Sequence, residues 1–271
     1  MSQRVDTSRI AFQFASFANL PLRHAMSGRI AGEIADGDVG HGPNTVADEI
    51  EHNRAAFIDS AGFSMADLVV SRQTHGTQVA VVGSADRGRG LFPAFDGFPA
   101  TDAMVTNEPT VALGTIVADC VPILLYDPVR HVVGLAHAGW RGTVGQIAAA
   151  TVAAMNCEFG TEPGDVLAGI GPSIGPCCYE VGQEVIDAWN AADVVDGSSA
   201  VVERGTGYHF DLWAANRLVL IQAGISDDRI ETSGVCVRCE YDRFFSYRAT
   251  RQIGTQPGRN MMVAQLQPLP R

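Results

Sequence analysis

Apolar residues in this chain fall into short runs separated by Gly, Pro and Asp, with a few longer stretches at helical spacing. Ile10-Ala-Phe-Gln-Phe-Ala-Ser-Phe17 alternates and predicts an opening strand. Residues 46–61 carry an amphipathic pattern that predicts a helix ended by Gly62, and the Gly- and Asp-rich stretch 27–45 before it predicts a loop. Strand-like runs follow at 68–71, 79–82, 111–117, 123–126 and 132–136, each bounded by turn residues. Residues 84–100, with Arg-Gly-Arg-Gly and two prolines, predict a long mobile loop.

From Thr143 to Cys157, the positions Val144, Ile147, Ala148, Thr151, Val152 and Met155 follow one helical face. This predicts a strand-to-helix unit with His137 and Trp140 at its turn, where α/β proteins commonly bind ligands. The second half predicts a strand at 166–170, the loop Gly171-Pro-Ser-Ile-Gly-Pro176, a helix near 182–192, and another N-capped by Asp211 and running through Ala223. The segments 244–248 and 261–265 read as short strands around a Gly-rich turn. Strands and helices mix without a strict βαβ rhythm, and no linker divides them. The expected class is α+β (irregular α/β): one domain of mixed β-sheets with flanking helices over 10–271, after a tail at 1–9.

Composition narrows the function classes. With 271 residues, 46% apolar and 18% charged, there is ample material for a core. The net charge of −11, with no compensating basic patch, argues against nucleic acid as a partner. No run approaches the roughly 18 apolar residues of a membrane span, and the N-terminus lacks the apolar core of a signal peptide. Six cysteines are too sparse for a disulfide scaffold, so the expectation is a cytoplasmic protein with reduced thiols, a monomer or weak homo-oligomer.

Three residues stand in unusual strings: His75 in Gln73-Thr-His-Gly-Thr-Gln-Val79, Cys120 in Ala118-Asp-Cys-Val-Pro-Ile123, and His137 in Gly134-Leu-Ala-His-Ala-Gly-Trp-Arg-Gly142. Two imidazoles and a thiolate are a natural zinc set, and three protein ligands leave one position open for water or substrate. His75 precedes Gly76 and His137 stands two residues before Gly139, each following an apolar run, whereas His24, His41, His52, His131 and His209 read as lone histidines. Cys120 is open to other readings. Free cysteine is often a small buried hydrophobe. It is also a nucleophile when a histidine serves as base, with Asp119 as orienting group. A neighbouring carboxylate raises a thiol's pKa unless a cation offsets it, and a metal dication would do so. The separations of 45 and 17 residues match no compact zinc finger.

Other motifs carry less. Cys236-Val-Arg-Cys239 is a single CxxC; its only partner pair, Cys177-Cys178, is adjacent and poorly shaped for one ion, so a buried thiol cluster is expected rather than a second metal site. Gly169-Ile-Gly-Pro-Ser-Ile-Gly-Pro176 lacks the Gly-Lys-Ser/Thr ending of a P-loop, and its prolines remove amide donors.

Taken together, these strings resemble the family variously described as YfiH-like, laccase-domain or polyphenol oxidase-like proteins, and also as zinc-dependent purine nucleoside phosphorylases and deaminases. The resemblance rests on Gln73-Thr-His-Gly, Thr101-Asp-Ala-Met-Val-Thr106, Ala118-Asp-Cys-Val-Pro and Ala136-His-Ala-Gly-Trp-Arg-Gly142. It continues through Gly169–Val181, Cys236-Val-Arg-Cys-Glu-Tyr-Asp-Arg-Phe-Phe-Ser-Tyr-Arg248 and Gly258-Arg259, in order from about residue 10 to the end. It implies a zinc ion held by His75, Cys120 and His137. One stretch departs: of the N-terminal Arg-x-Gly-Gly-Val-Ser and Ser-Leu-Asn-Leu-Gly segments common in the family, only Arg29 is retained, within 27–38.

The same resemblance implies purine nucleosides (adenosine, inosine, guanosine, methylthioadenosine) and phosphate as substrates, cleaved to free base and ribose 1-phosphate, with adenosine deamination beside it. An open zinc position accounts for deamination by activating water. Asp119 is the nearest candidate acid/base, or equally a carboxylate that orients a ligand. Arg29 and Arg141 are candidate anion binders. A copper oxidase needs many more histidines in His-x-His pairs, and none of the seven here is so placed. A zinc-stabilised interaction module is disfavoured by the open coordination of the trio.

Overall fold

Two apolar faces on a single pair of strands organise the molecule. In Val121–Asp127 and Val132–Ala138 every residue is buried, so neither strand shows the alternation of a half-solvated sheet. Val121, Ile123 and Leu125 face one core together with Ile147, Val152, Met155 and Val219. Leu124, Tyr126, Val133 and Leu135 face another, with Phe14, Phe17, Leu113 and Met262. Burying each such side chain contributes about 1.5–3 kcal/mol.

The computed structural model describes residues 7–41, 45–91, 96–205 and 207–269. The doubly buried pair sits centrally in a six-stranded sheet, ordered Ile230–Thr232, Leu167–Ile170, Val121–Asp127, Val132–Ala138, Ala103–Thr106 and Val79–Val81. Its two outermost pairings are parallel and the rest antiparallel. Helices Ile147–Phe159 and Leu212–Gln222 cover one face. A five-stranded sheet covers the other: Ile10–Phe12, Leu22–Ser27, Asn260–Leu266, Ala112–Val117 and Leu68–Val70. On the far side of that sheet, helix Ala47–Ser60 packs Phe57 and Ile58 against Val70, Met261 and Val263. A small antiparallel sheet of Glu180–Val181, Gly207–Phe210 and Val201–Arg204 completes the fold. The molecule is thus a single α+β domain of mixed sheets with flanking helices.

Several elements differ from their sequence expectation. The opening strand stops at Phe12, and Ala15–Phe17 forms a 3-10 turn. The expected helix from Thr143 divides into Trp140–Val144 and Ile147–Phe159, because Gln146 adopts a left-handed backbone with φ 60°. The segment 244–248 is not a strand: Ser246 caps a helix, Tyr247–Ile253, by accepting a hydrogen bond from the Ala249 amide. Asp211 caps Leu212–Gln222 as expected, accepting from the amides of Trp213 and Ala214 at 3.0 Å. Residues 1–6 of the expected tail and 92–95 of the expected mobile loop lie outside the described residues.

Candidate metal centre

His137 is the fixed point of the site. It lies in the strand Val132–Ala138, only 3% exposed, and pairs across the ladder with Pro122. Its Nδ1 lies 2.8 Å from the carboxylate of Asp102, itself 1% exposed at the start of the neighbouring strand. An ionised carboxylate only accepts, so Nδ1 carries a proton toward Asp102, and Nε2 is the nitrogen that a metal would take.

The same carboxylate builds the turn that carries His75. It accepts the amides of Thr74, His75 and Gly76 at 3.1, 2.9 and 2.8 Å. These bonds hold His75 in a left-handed conformation with φ 62°. Burial pushes the Asp102 carboxyl up, but the bonds from His137, Gly76 and Thr74 outweigh it and hold the group at about 2. Gln73 braces the turn from the other side: its side chain donates to the Ile116 carbonyl and accepts from the Ile116 amide.

Cys120 occupies the break between the strands Ala112–Val117 and Val121–Asp127, after Asp119 with φ 82°. The sulfur and the two imidazoles bring their ligand atoms within 4.8 Å of one another, with the His rings edge-on at 4.8 Å between centroids. Gly139 closes the back of the group: a Cβ there would stand 2.8 Å from His75 Cδ2 and 2.9 Å from Cys120 Sγ. Burial would raise the Cys120 thiol, yet His137 and His75 draw it down to about 6. In turn, burial lowers His137, while Cys120 and Asp102 together push it up to about 9. The structure therefore brings the three sequence-selected ligands together, and the soft sulfur with two nitrogens fits zinc or another borderline dication.

The centre lies in the wall of a cavity of about 640 Å³, within the range of small-molecule sites. Arg54, Arg72, Arg248 and Arg259 line it with Tyr179 and Tyr247. Arg54 is only 3% exposed, and burial brings its pKa down to about 10. Its Nε donates to the Val39 carbonyl, while Nη1 is buried with no hydrogen-bond partner among the described residues. A buried guanidinium with an unspent donor is a strong attractor for an anion.

Neither arginine selected from the sequence lines this cavity. Arg29 forms an ion pair with Asp36 at 2.8 Å, stacks on Tyr241, and borders a separate hollow. Arg141 is exposed and folds over Trp140 at 4.2 Å. Asp119 does border the cavity, but one oxygen accepts from Ser246 Oγ and the other from the Arg248 amide, each at 2.6 Å. Burial raises its pKa against the pull of these bonds. In the sequence Asp102 was visible only as part of the Thr101–Thr106 string; its burial just before the strand Ala103–Thr106 is what the structure adds.

A family model described as multi-copper polyphenol oxidoreductase laccase matches residues 23–267. The chain belongs to the laccase-domain, YfiH-like family. Among the laccase-domain relatives, purine nucleoside phosphorylase YlmD of Bacillus subtilis is 38% identical over 200 residues, 74% of this chain and 72% of that protein. Adenosine deaminase RL5, from an unknown prokaryotic organism, is 41% identical over 199 residues, 73% of this chain and 74% of its own. The crystal structure of YlmD from Geobacillus stearothermophilus superposes with a TM-score of 0.88 at 32% identity, covering 94% of each chain. That of the Bacillus licheniformis protein YfiH gives 0.86 at 34% identity, over 91% of this chain and 93% of the other. Both curated relatives carry enzyme names, and this laccase-domain chain is an enzyme too.

Proposed function

We propose that this chain is a zinc-dependent purine nucleoside phosphorylase, acting on adenosine, inosine, guanosine and methylthioadenosine, that also deaminates adenosine. The observation that carries the reading is a three-ligand centre, His75, Cys120 and His137, set in the wall of a cavity lined with arginine. The names of the relatives YlmD and RL5 point the same way. When bound, zinc at such a centre acts as a Lewis acid and lowers the pKa of water toward about 7.

The chain's own residues account for the rest. Arg54 offers a phosphate its unspent Nη1 donor, and Arg72, Arg248 and Arg259 supply further charge. Tyr179 and Tyr247 offer aromatic faces to a purine. In phosphorolysis a phosphate oxygen bonds to the sugar C1′ as the bond to the base nitrogen breaks, and the base leaves with a proton. Asp119 acts as a positioning residue, because both oxygens are engaged in holding Ser246 and the Arg248 backbone. In this reading these arginines, which line the cavity, bind the anion rather than Arg29 and Arg141, which do not.

Incubation with adenosine, with and without phosphate, tests the reading by chromatography of the products. Adenine that appears only with phosphate marks phosphorolysis, and inosine marks deamination. Absence of both products from zinc-loaded protein would overturn the proposal.

One observation favours a second reading. Cys120, held down at about 6 beside His137, with Asp102 orienting the imidazole, has the layout of a cysteine hydrolase. Asp102 stands where Asp119 was expected. Metal content separates the two: a nucleophile works in metal-free protein.

A further inference from the structure

Four cysteines that play no part in the chemistry above converge behind the cavity wall. The sulfurs of Cys177, Cys178, Cys236 and Cys239 all lie within 4.8 Å of one another, and all four are free thiols. Cys239 Sγ stands 3.6 Å from Cys177 Sγ and 3.4 Å from Cys178 Sγ. Four sulfurs about 2.3 Å from a tetrahedral ion stand about 3.8 Å apart, close to these separations. The expected buried thiol cluster is a cluster, but only Cys236 is buried; Cys177 and Cys239 are exposed.

The adjacency of Cys177 and Cys178, which argued against a shared ion, is resolved by backbone geometry. The amides of Cys178 and Tyr179 both donate to the Gly175 carbonyl, a tight turn that sends both thiols toward Cys239. On the other side, the Glu240 amide donates to the Cys236 carbonyl, curling the CxxC string around its own sulfurs. The two segments are stitched by Ser173 and Val237, whose amides donate to Val235 and Ser173 carbonyls.

The surroundings are those of a charged sulfur group. The Gly175 amide donates to Cys236 Sγ at 3.2 Å, and Arg238 Nη1 to Cys178 Sγ at 3.5 Å. Cys178 and burial push Cys239 up to about 11, burial with neighbouring thiols pushes Cys177 up, and, against burial, the Gly175 and Cys239 amides bring Cys236 down. A dication would release the thiol protons.

We propose that Cys177, Cys178, Cys236 and Cys239 hold a second, structural zinc ion, closed by four thiolates, that clamps the 171–180 segment to the 233–248 segment. Binding is acid–base chemistry without redox: one zinc dication displaces four thiol protons and leaves a tetrathiolate of net charge −2. Zinc fits because soft thiolates in tetrahedral array select it, and four protein ligands leave no position for substrate. The clamp matters to the cavity because one segment carries Tyr179 and the other Tyr247 and Arg248. Arg248 already bridges them, its guanidinium donating to the Cys178 and Glu180 carbonyls. None of the four cysteines lines the cavity, so this ion would be independent of the proposed reaction.

The test is elemental analysis of full-length protein purified without chelator, for wild type, Cys120→Ala and Cys239→Ser. The wild type is expected to hold about two zinc ions per chain, and each variant about one. Cobalt(II) added to metal-stripped Cys120→Ala, which keeps all four cysteines, is expected to give the intense thiolate-to-metal bands of a tetrathiolate site. That spectrum keeps the test valid if Cys239→Ser fails to fold. A Cys120→Ala protein that retains no zinc and gives no thiolate–cobalt bands overturns the proposal. So does purification of the wild type with iron or copper, or a disulfide, at these cysteines.

Discussion

Asp102 accepts the Nδ1 proton of His137 at 2.8 Å while its two oxygens also gather three amides of the His75 turn. One carboxylate thus orients the ring of one candidate ligand and the backbone of another. Asp102→Ala is expected to weaken metal binding about 10–100-fold. Competition against a chromophoric chelator measures it; unchanged affinity would show that the ligands orient themselves without Asp102.

Gly139 has no room for a side chain between His75 and Cys120. Gly139→Ala is expected to cost at least about tenfold in metal affinity, since the added carbon must displace a ligand or the backbone. Its φ of −72° is ordinary for alanine, so any loss reports crowding rather than backbone strain. Zinc content and affinity equal to wild type would contradict the packing described.

Asp119 and Ser246 form the link between the Cys120 break and the helix Tyr247–Ile253. Ser246→Ala removes a cap and a bond to a buried carboxylate, and is expected to cost about 2 kcal/mol in denaturant unfolding. Asp119→Asn separates the roles: as a brace for Arg248 it raises KM for phosphate more than it lowers kcat. A variant that instead loses one limb of the kcat pH profile, with KM intact, would make Asp119 a proton carrier.

The candidate ligands were legible because each sits in a distinctive string; Cys120, open to other readings by itself, was marked as a ligand only by the family resemblance. Asp102 was not legible, since a single acid in Thr101–Thr106 gains its meaning only from the turn folded over it. Arg29 and Arg141 stood out in the sequence as lone cations, whereas the structure places them with Asp36, Tyr241 and Trp140, outside the lining of the cavity beside the candidate centre. The strand Leu22–Ser27 escaped notice because Arg23 and His24 interrupt its apolar run, while the sheet buries four of its last five positions, His24 included. The Tyr247–Ile253 helix was missed because two aromatics and a serine precede it, a composition that also suits strands.

His24 makes that strand pH-sensitive. It is 3% exposed, and its Nε2 accepts the Phe14 amide at 2.8 Å, which a protonated ring cannot do. Burial, opposed by Glu231, lowers its pKa from 6.5 to about 4. The unfolded chain therefore binds the proton first as pH falls. The contribution is full above pH 6.5, declines below it, and is lost by about pH 4, an effect of about 3 kcal/mol. His24→Gln should flatten the slope of unfolding free energy across that window relative to wild type. Equal slopes would place the ring elsewhere.

The most direct measurement of the central claim is phosphate-dependent adenine release from adenosine by metal-stripped protein titrated with zinc. The account predicts no release without metal, recovery as zinc fills the centre, and no recovery in Cys120→Ala. Full activity of metal-free protein, or recovery in Cys120→Ala equal to wild type, would contradict it.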